Sequence, residues 1–553
     1  MRVGLPAHEH DRSFPSWPGR DGGTEKVDRV VVPTARPQRA KRQGRSKTGG
    51  RSVGAVWLRM LAAVLAGFVL YAGSPPRDLW WVAPIAFAVF AAIVQNRKAR
   101  AGFGYGLLFG FAFLLPLLGW LQDFLGADFG PWPWLGVAGV QALFIGLAGA
   151  GMARVSRLPG APVWMAAVFV TAETLRSSVP FGGFPWGRLA FTQDTGPFLP
   201  LAALGGTALV SFAVALVGGG LAEIVHRARA PRRWSAPLAA VLVPVVAGLA
   251  MLPFIGTDPN AGTARVAIVQ GNAPNLGLGL LYKDNVIHAN HIAAAQKLVD
   301  DVKAGRMPQP DFVVLPEQVG SWGPSQNDPD LSAIAAQLGV PLVVGGLGQD
   351  TDGDLHNEIV RWDPGSGAGD RYIKQHLVPF AETIPMRPVA RLVSPFVDRF
   401  RQDMVPDDKP GVLDVGSVRL GVGICYDVAY DDVFTGAAQK GATLLAVPTN
   451  NAWYGHSEMS YQQLAMSRLR AVEHGRAVLV SATSGVSAVV QPDGTVTQQT
   501  ELFTAQNLVA DVPLRSTQTV ATELGSAPMW TLAVLGVGAV VLSWWRPRRT
   551  TAA

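Results

Sequence analysis

The sequence predicts an α/β domain inserted into a frame of apolar helices, and three observations lead there. Eight apolar segments flank a long central stretch, seven before it and one after, and most approach the ~20 residues a helix needs to cross a bilayer. Across 262–513 the texture changes to short β-forming runs alternating with helical stretches, the pattern of a sheet covered by helices. The loops between apolar segments alternate between basic and poor in Lys and Arg, as the positive-inside rule requires of a multi-pass chain. With 49 % hydrophobic and 16 % charged residues in 553, the chain is too apolar for an ordinary soluble protein of this length.

The first element is a tail, 1–54. It carries twelve Lys and Arg against five acids, an excess equal to the whole net charge of +7. It is rich in Gly, Pro and Ser and has no apolar period, so it reads as a disordered cytoplasmic tail held at an anionic leaflet, in preference to a nucleic-acid arm. No apolar segment lies near residue 1, which argues against a cleaved signal peptide.

The apolar segments follow at 55–73, 79–94, 101–121, 133–153, 161–177, 199–225 and 236–254, filling a transmembrane region over 55–254, with the eighth at 528–545 and a short cytoplasmic tail at 546–553. The second and fifth are short for a span. Gly146, Gly149 and Gly151, and the run 218–220, suit close helix packing in lipid. With the tail inside, Arg97, Lys98 and Arg100, then Arg154 and Arg157, then Arg227, Arg229, Arg232 and Arg233, and finally Arg546, Arg548 and Arg549 all fall inside. The intervening loops carry little: Arg77 with Asp78, Asp123 with Asp128, and Arg188. This count places 255–527 outside. Within the fifth segment, Glu173 and Arg176 stand at pairing distance along a helix.

The central stretch offers strands at 265–270, 312–315, 342–345, 419–424, 443–448 and 477–482, and helices at 285–302, 331–338 and 461–473. About 250 residues suffice for a sizeable core without disulfides, and the single cysteine, Cys425, cannot form one within the chain. Cys425 ends an apolar run that reads as a buried strand closing in a tight turn. Two more runs end the same way, Val313-Val314-Leu315-Pro316 in Glu317 and Tyr372-Ile373 in Lys374. Charged groups at strand ends of an α/β sheet are where active sites collect. The chemistry is complementary: Glu317 can accept the thiol proton, while Lys374 lowers the thiol pKa and holds a developing oxyanion with backbone N–H groups after Cys425. His288 and His291 are three apart on a helix but lack a carboxylate or Cys cluster, and no Gly-rich loop precedes a helix, so neither a metal nor another cofactor is expected.

The Glu317, Lys374 and Cys425 segments resemble those of the carbon–nitrogen hydrolase (nitrilase) superfamily. Longer phrases are similar to the apolipoprotein N-acyltransferase family within it: 374–380 (Lys-Gln-His-Leu-Val-Pro-Phe) with Glu382, Val269-Gln270-Gly271-Asn272, and Phe184-Pro185-Trp186. The layout of seven helices, a hydrolase-like domain and one closing helix resembles that family too. The resemblance implies a four-layer αββα nitrilase-like sandwich, extracytoplasmic, set in an eight-helix transmembrane bundle of a bacterial cell membrane. It implies transfer of an acyl chain from a membrane phospholipid, through a Cys425 thioester, to the N-terminal amine of a diacylglyceryl-modified lipoprotein. The partners are therefore a phospholipid donor and a lipoprotein acceptor, with no nucleic acid and a monomeric enzyme. The alternative is a membrane-tethered nitrilase or amidase hydrolysing a small amide or nitrile, which would share the triad and need no phospholipid.

The same resemblance brings supporting residues: Glu382 as an acid that assists at the site, Tyr426 beside the nucleophile, and Trp453 as either a substrate contact or a core aromatic. Asp427 stands where the family has a longer glutamate, and 275–282 lacks the tryptophan expected on the loop after the first strand. Apolar residues over 276–282 and over 380–404, among them Met386, Phe396, Phe400 and Met404, could close over a lipid chain and exclude water.

Overall fold

The computed structural model describes residues 49–125, 130–228, 234–277, 279, 284–393, 397–398 and 402–545. The expected tail over 1–48, Asp128, Arg229, Arg232 and Arg233 of the sixth loop, the C-terminal arginines, Tyr282, Phe396 and Phe400 lie outside the described residues.

All eight apolar segments are helical: α1 (Gly49–Ala72), α2 (Val82–Val94), α3 (Ala99–Leu117), α5 (Trp132–Val155), α6 (Ala161–Arg176), α7 (Ala202–His226), α8 (Ser235–Met251) and α15 (Ala527–Trp545), with a short α4 (Trp120–Leu125) after α3. The first helix begins at Gly49, so the end of the stretch expected to be disordered is helical. Among the described residues six helices are long and apolar enough to cross a membrane, while α2 and α6, at 13 and 16 residues, fall short. Helices α3 and α5 pack closely, and glycine permits it. A Cβ at Gly102 would stand 2.3 Å from the Gly149 carbonyl, and one at Gly149 would stand equally close to the Gly102 carbonyl. Small residues let two backbones touch where lipid offers no hydrophobic drive to association.

Glu173 and Arg176 do not pair as expected. Glu173 accepts the Leu189 N–H at 2.8 Å, and Arg176 donates to the Phe184 and Trp186 carbonyls at 3.1 and 2.6 Å, bracing the Phe184–Trp186 loop. Both charges are buried at the C-terminal end of α6, where the loop backbone supplies stronger partners than a neighbour on the same helix.

The central stretch forms two sheets. The strands are β1 (Thr263–Gln270), β2 (Phe312–Val314), β3 (Gly320–Trp322), β4 (Leu342–Gln349), β5 (Leu355–Asp363), β6 (Gly367–Ile373), β7 (Val412–Val415), β8 (Val418–Val422), β9 (Leu444–Thr449), β10 (Val478–Ala482), β11 (Ala488–Val490), β12 (Val496–Gln499) and β13 (Gln506–Pro513). One sheet runs β13-β1-β2-β4-β5-β6, with β3 on β4, and the other runs β12-β11-β10-β9-β8-β7. Their centres are parallel (β1-β2-β4 and β8-β9-β10) and their margins antiparallel. Parallel centres are covered on both faces, which is why β2 and β9 are apolar or buried at every position.

Four layers result. Helices α9 (Asp284–Lys303) and α10 (Pro329–Leu338) cover the first sheet through Leu298, Val299, Ile334 and Ala335. The two sheets bury Ile268, Val314, Leu420 and Leu479 between them. Helices α12 (Asp431–Gln439) and α13 (Met459–His474) cover the second sheet. Their cluster includes Phe434, Leu469, Val478 and Val480 and continues without a break into Phe87, Phe113 and Val214 of the apolar helices and Trp186 of the loop after α6. The αββα arrangement is the one the resemblance implied. Two short helices remain, α11 (Arg387–Val393) and α14 (Val520–Leu524).

Candidate active site

Four strands deliver the site. Glu317 follows β2, Lys374 follows β6, Cys425 follows β8 and Asn450 follows β9, so residues distant in sequence meet at strand ends. Lys374 is 1 % exposed, and its Nζ donates to Glu382 Oε1 at 2.9 Å and to Glu317 Oε1 at 3.4 Å. The structure thus brings the expected triad and Glu382 into one buried group.

Two residues that the sequence reading did not single out complete it. Asn357, in the middle of β5, donates its amide to Glu317 Oε1 and Glu382 Oε1, each at 2.6 Å, and its carbonyl accepts the Lys374 N–H at 2.9 Å. The Asn450 backbone N–H donates to Glu317 Oε2 at 2.7 Å. The remaining Glu382 oxygen accepts the Val378 N–H at 2.7 Å. Buried carboxylates are tolerable only when so fully satisfied. Nothing local marks Asn357 in the sequence, where it stands between His356 and Glu358, and only its complete burial in β5 shows that it has a purpose.

Cys425 begins a 3-10 turn, Cys425–Ala429, and its φ of +50° places it in the left-handed region that non-glycine residues rarely occupy. Asp427 closes that turn. Its Oδ2 accepts the Ile424 N–H and the Tyr372 hydroxyl, both at 2.9 Å, and its Oδ1 accepts the His376 N–H at 3.0 Å. The short side chain reaches back three residues as a capping group, so Asp427 holds the backbone of the Cys425 turn and links it to the Lys374 segment.

Burial pushes the Cys425 thiol up to about 12; the Glu317 charge adds to the rise, and Lys374 and a hydrogen bond from Thr449 oppose it. At neutral pH the thiol is therefore held protonated, and a base must take its proton before sulfur can react. Burial alone would lower the Lys374 ammonium, but the Glu382 and Glu317 carboxylates outweigh it and hold it well above its ordinary value. A paradoxical result follows. In Glu317→Gln the loss of negative charge lowers the thiol pKa, so alkylation of Cys425 by iodoacetamide at fixed pH speeds up. If Glu317 is that base, turnover of the same variant slows by about 10²–10⁴-fold. Parallel pH series of alkylation by mass spectrometry and of turnover check both signs.

Aromatic side chains line the boundary between this site and the membrane helices. Tyr426 stacks on Trp186 and Phe184, with ring centroids 6.4 and 6.0 Å apart, and its hydroxyl points at the Gly183 carbonyl. Trp120 packs on both Trp186 and Tyr454. Tyr454, a residue the sequence reading passed over, lies close enough to Cys425, Glu317 and Lys374 for their charges to bear on its hydroxyl, and burial raises it well above its ordinary value. Trp453 stands edge-on to Phe124 of α4, beside Ala273, Ile287 and Ala452. In the stretch expected to act as a lid, Phe380 meets Phe181 of the fifth loop, and Met386, together with Val389 and Leu392 of α11, is exposed.

His288, expected to lack carboxylates, has Asp328 and Asp330 beside it, brought from 40 and 42 residues away by the start of α10; Asp328 is engaged as the N-cap of that helix. His291 is buried, and its Nδ1 hydrogen-bonds the Ile287 carbonyl.

A family model described as the apolipoprotein N-acyltransferase N-terminal domain matches residues 66–220, and one described as carbon–nitrogen hydrolase matches residues 265–522. The chain is 37 % identical over 507 residues to an apolipoprotein N-acyltransferase of Mycolicibacterium smegmatis, covering 87 % of this chain and 84 % of that one. It is 29 % identical over 511 residues to that of Azotobacter vinelandii, covering 88 % and 95 %. A solved nitrilase-superfamily member from Saccharomyces cerevisiae is 19 % identical with a TM-score of 0.34, over 48 % of this chain and 94 % of that one.

Proposed function

Because this chain belongs to the apolipoprotein N-acyltransferase family, we propose that Cys425, Glu317 and Lys374 carry its acyl transfer in two half-reactions. The enzyme is an acyltransferase of lipoprotein biosynthesis in a bacterial membrane. The single observation that carries the residue assignment is the convergence of Glu317, Lys374 and Glu382 behind the Cys425 turn.

In the first half Glu317 takes the Cys425 proton as sulfur attacks the ester carbonyl of a phospholipid. The carbon–oxygen bond breaks, and the leaving alkoxide recovers that proton as lysophospholipid. The acyl group rests as a thioester. In the second half the α-amine of the diacylglyceryl-modified N-terminal cysteine attacks the thioester carbonyl. The carbon–sulfur bond breaks, and Glu317 passes the amine's proton to the thiolate. Lys374 stabilises negative charge on sulfur and on the carbonyl oxygen in both halves. The product amide is more stable than the thioester, so the second half runs downhill, and the kinetics are ping-pong. Glu382, Asn357 and Asp427 orient these groups, and Tyr426 and Trp453 belong to the aromatic boundary that faces the acyl chain and keeps water from the thioester.

All eight helices spanning the bilayer, with 262–513 outside and both termini inside, form part of this proposal. The alternation of basic and non-basic loops supports it. Hydrolysis of a small amide gains no support from the relatives' names.

The test is intact-mass analysis of the full chain in detergent with phospholipid. An added acyl mass on Cys425, discharged on addition of a diacylated lipopeptide, is the expected result. A protein that hydrolyses amides while never acquiring the acyl mass would falsify this reading.

A further inference from the structure

The largest buried charge cluster that the transfer chemistry leaves unused joins Arg188, Asp431, Arg470 and Glu473. Arg470, on α13, is fully buried. Its Nε donates to the Val428 carbonyl at 3.0 Å and a terminal nitrogen to the Ala429 carbonyl at 3.1 Å. These are the last two carbonyls of the 3-10 turn that Cys425 begins, groups with no partner inside so short a turn. The same guanidinium pairs with Asp431 Oδ1 at 2.8 Å and with Glu473. The other Asp431 oxygen takes Arg188 at 2.6 Å, and the Thr207 hydroxyl lies 3.0 Å from both.

Arg188 follows the Phe184–Trp186 loop, and Thr207 follows a break in α7 at Gly205 and Gly206. Gly206 has φ +62°, and a Cβ there would stand 2.3 Å from Glu473 Oε1. One guanidinium fork therefore connects the break in a membrane helix to the turn bearing the nucleophile.

We propose that Arg470 is a positioning residue for acyl transfer: by holding the Val428 and Ala429 carbonyls against Asp431, it fixes the left-handed Cys425 backbone relative to the membrane helices that present the acyl donor. It touches no reacting atom, and the inference rests on the acyl-transfer reading above. A lysine at 470 keeps the charge but replaces a planar fork with a single point donor.

The experiment compares wild type, Arg470→Lys and Asp431→Asn as full chains in phospholipid nanodiscs, reading single-turnover acylation of Cys425 by intact mass. Misplacing the sulfur slows acylation on the order of 10²-fold. The phospholipid KM and the iodoacetamide alkylation rate both stay within about twofold, because donor binding and the groups around the thiol are unchanged. Acylation of Arg470→Lys at the wild-type rate overturns the proposal. So does a fall in acylation accompanied by faster alkylation and a lower melting temperature, which marks general loosening that exposes the buried thiol. Should Arg470→Lys not fold, the near-isosteric Asp431→Asn must show the same split, and its absence is equally fatal. Failure of wild type itself to acquire an acyl mass would instead sink the acyl-transfer reading and this inference with it.

Discussion

Cys425→Ala loses acyl transfer on the order of 10⁶-fold, the scale at which removal of a covalent nucleophile leaves only binding and electrostatic assistance. No acyl adduct forms on that variant, and incubation with phospholipid leaves its mass unchanged. The substitution removes one buried sulfur from a turn that is held by other groups: the Ile424 N–H by Asp427, and the Val428 and Ala429 carbonyls by Arg470. The fold therefore survives, and the melting temperature stays near that of wild type. A variant that still transfers acyl chains at a tenth of the wild-type rate would remove Cys425 from the mechanism.

Lys374→Met has the second large effect, and it acts on stability as well as on rate. The ammonium is the cation placed between Glu317 and Glu382, and methionine of similar length leaves their two charges buried with the Asn357 amide shared between them. Breaking a buried ion pair from one side costs about 3–5 kcal/mol. Loss of the oxyanion and thiolate partner slows transfer by about 10²–10³-fold. The pH dependence has a definite sign. The folded-state pKa of Lys374 lies above its ordinary value of 10.5, so its stabilisation is complete below that value and fades as pH rises through the higher folded value. Melting curves for wild type and Lys374→Met should keep a constant gap up to the alkaline range and converge beyond it.

The groups proposed to react were legible because each ends a strand. An apolar run that stops at one charged or nucleophilic residue announces a sheet's edge, and Glu317, Lys374 and Cys425 share that form. The strands and helices read from the sequence lie within a few residues of those observed, although β4 continues to Gln349 through a glycine-rich stretch that looks like loop; β3, β5, β7, β11, β12, β13 and α12 were not read. What escaped notice has no local signature. Asn357 interrupts β5 for the sake of two carboxylates 40 and 25 residues away. Arg188 meets Asp431 across 243 residues, and nothing near either residue hints at the other. Asp427 looked like a shortened copy of another acid, and only the backbone turn shows why its length suits it. Glu173 and Arg176 failed in the opposite sense: their spacing suggested a pair, but the carbonyls of a neighbouring loop made a better offer.

The outermost helical layer of the central domain shares its packing with the membrane helices, Phe434 and Leu469 belonging to the same cluster as Phe113 and Val214. The two parts consequently cannot be issued separately. A fragment cut at 262 and 513 would bare a greasy flank the length of α13 and should clump or bind detergent, however complete its triad. Attempts to crystallise or screen the enzyme as a trimmed, water-soluble hydrolase are thus directed at a molecule whose catalytic turn has lost its anchorage.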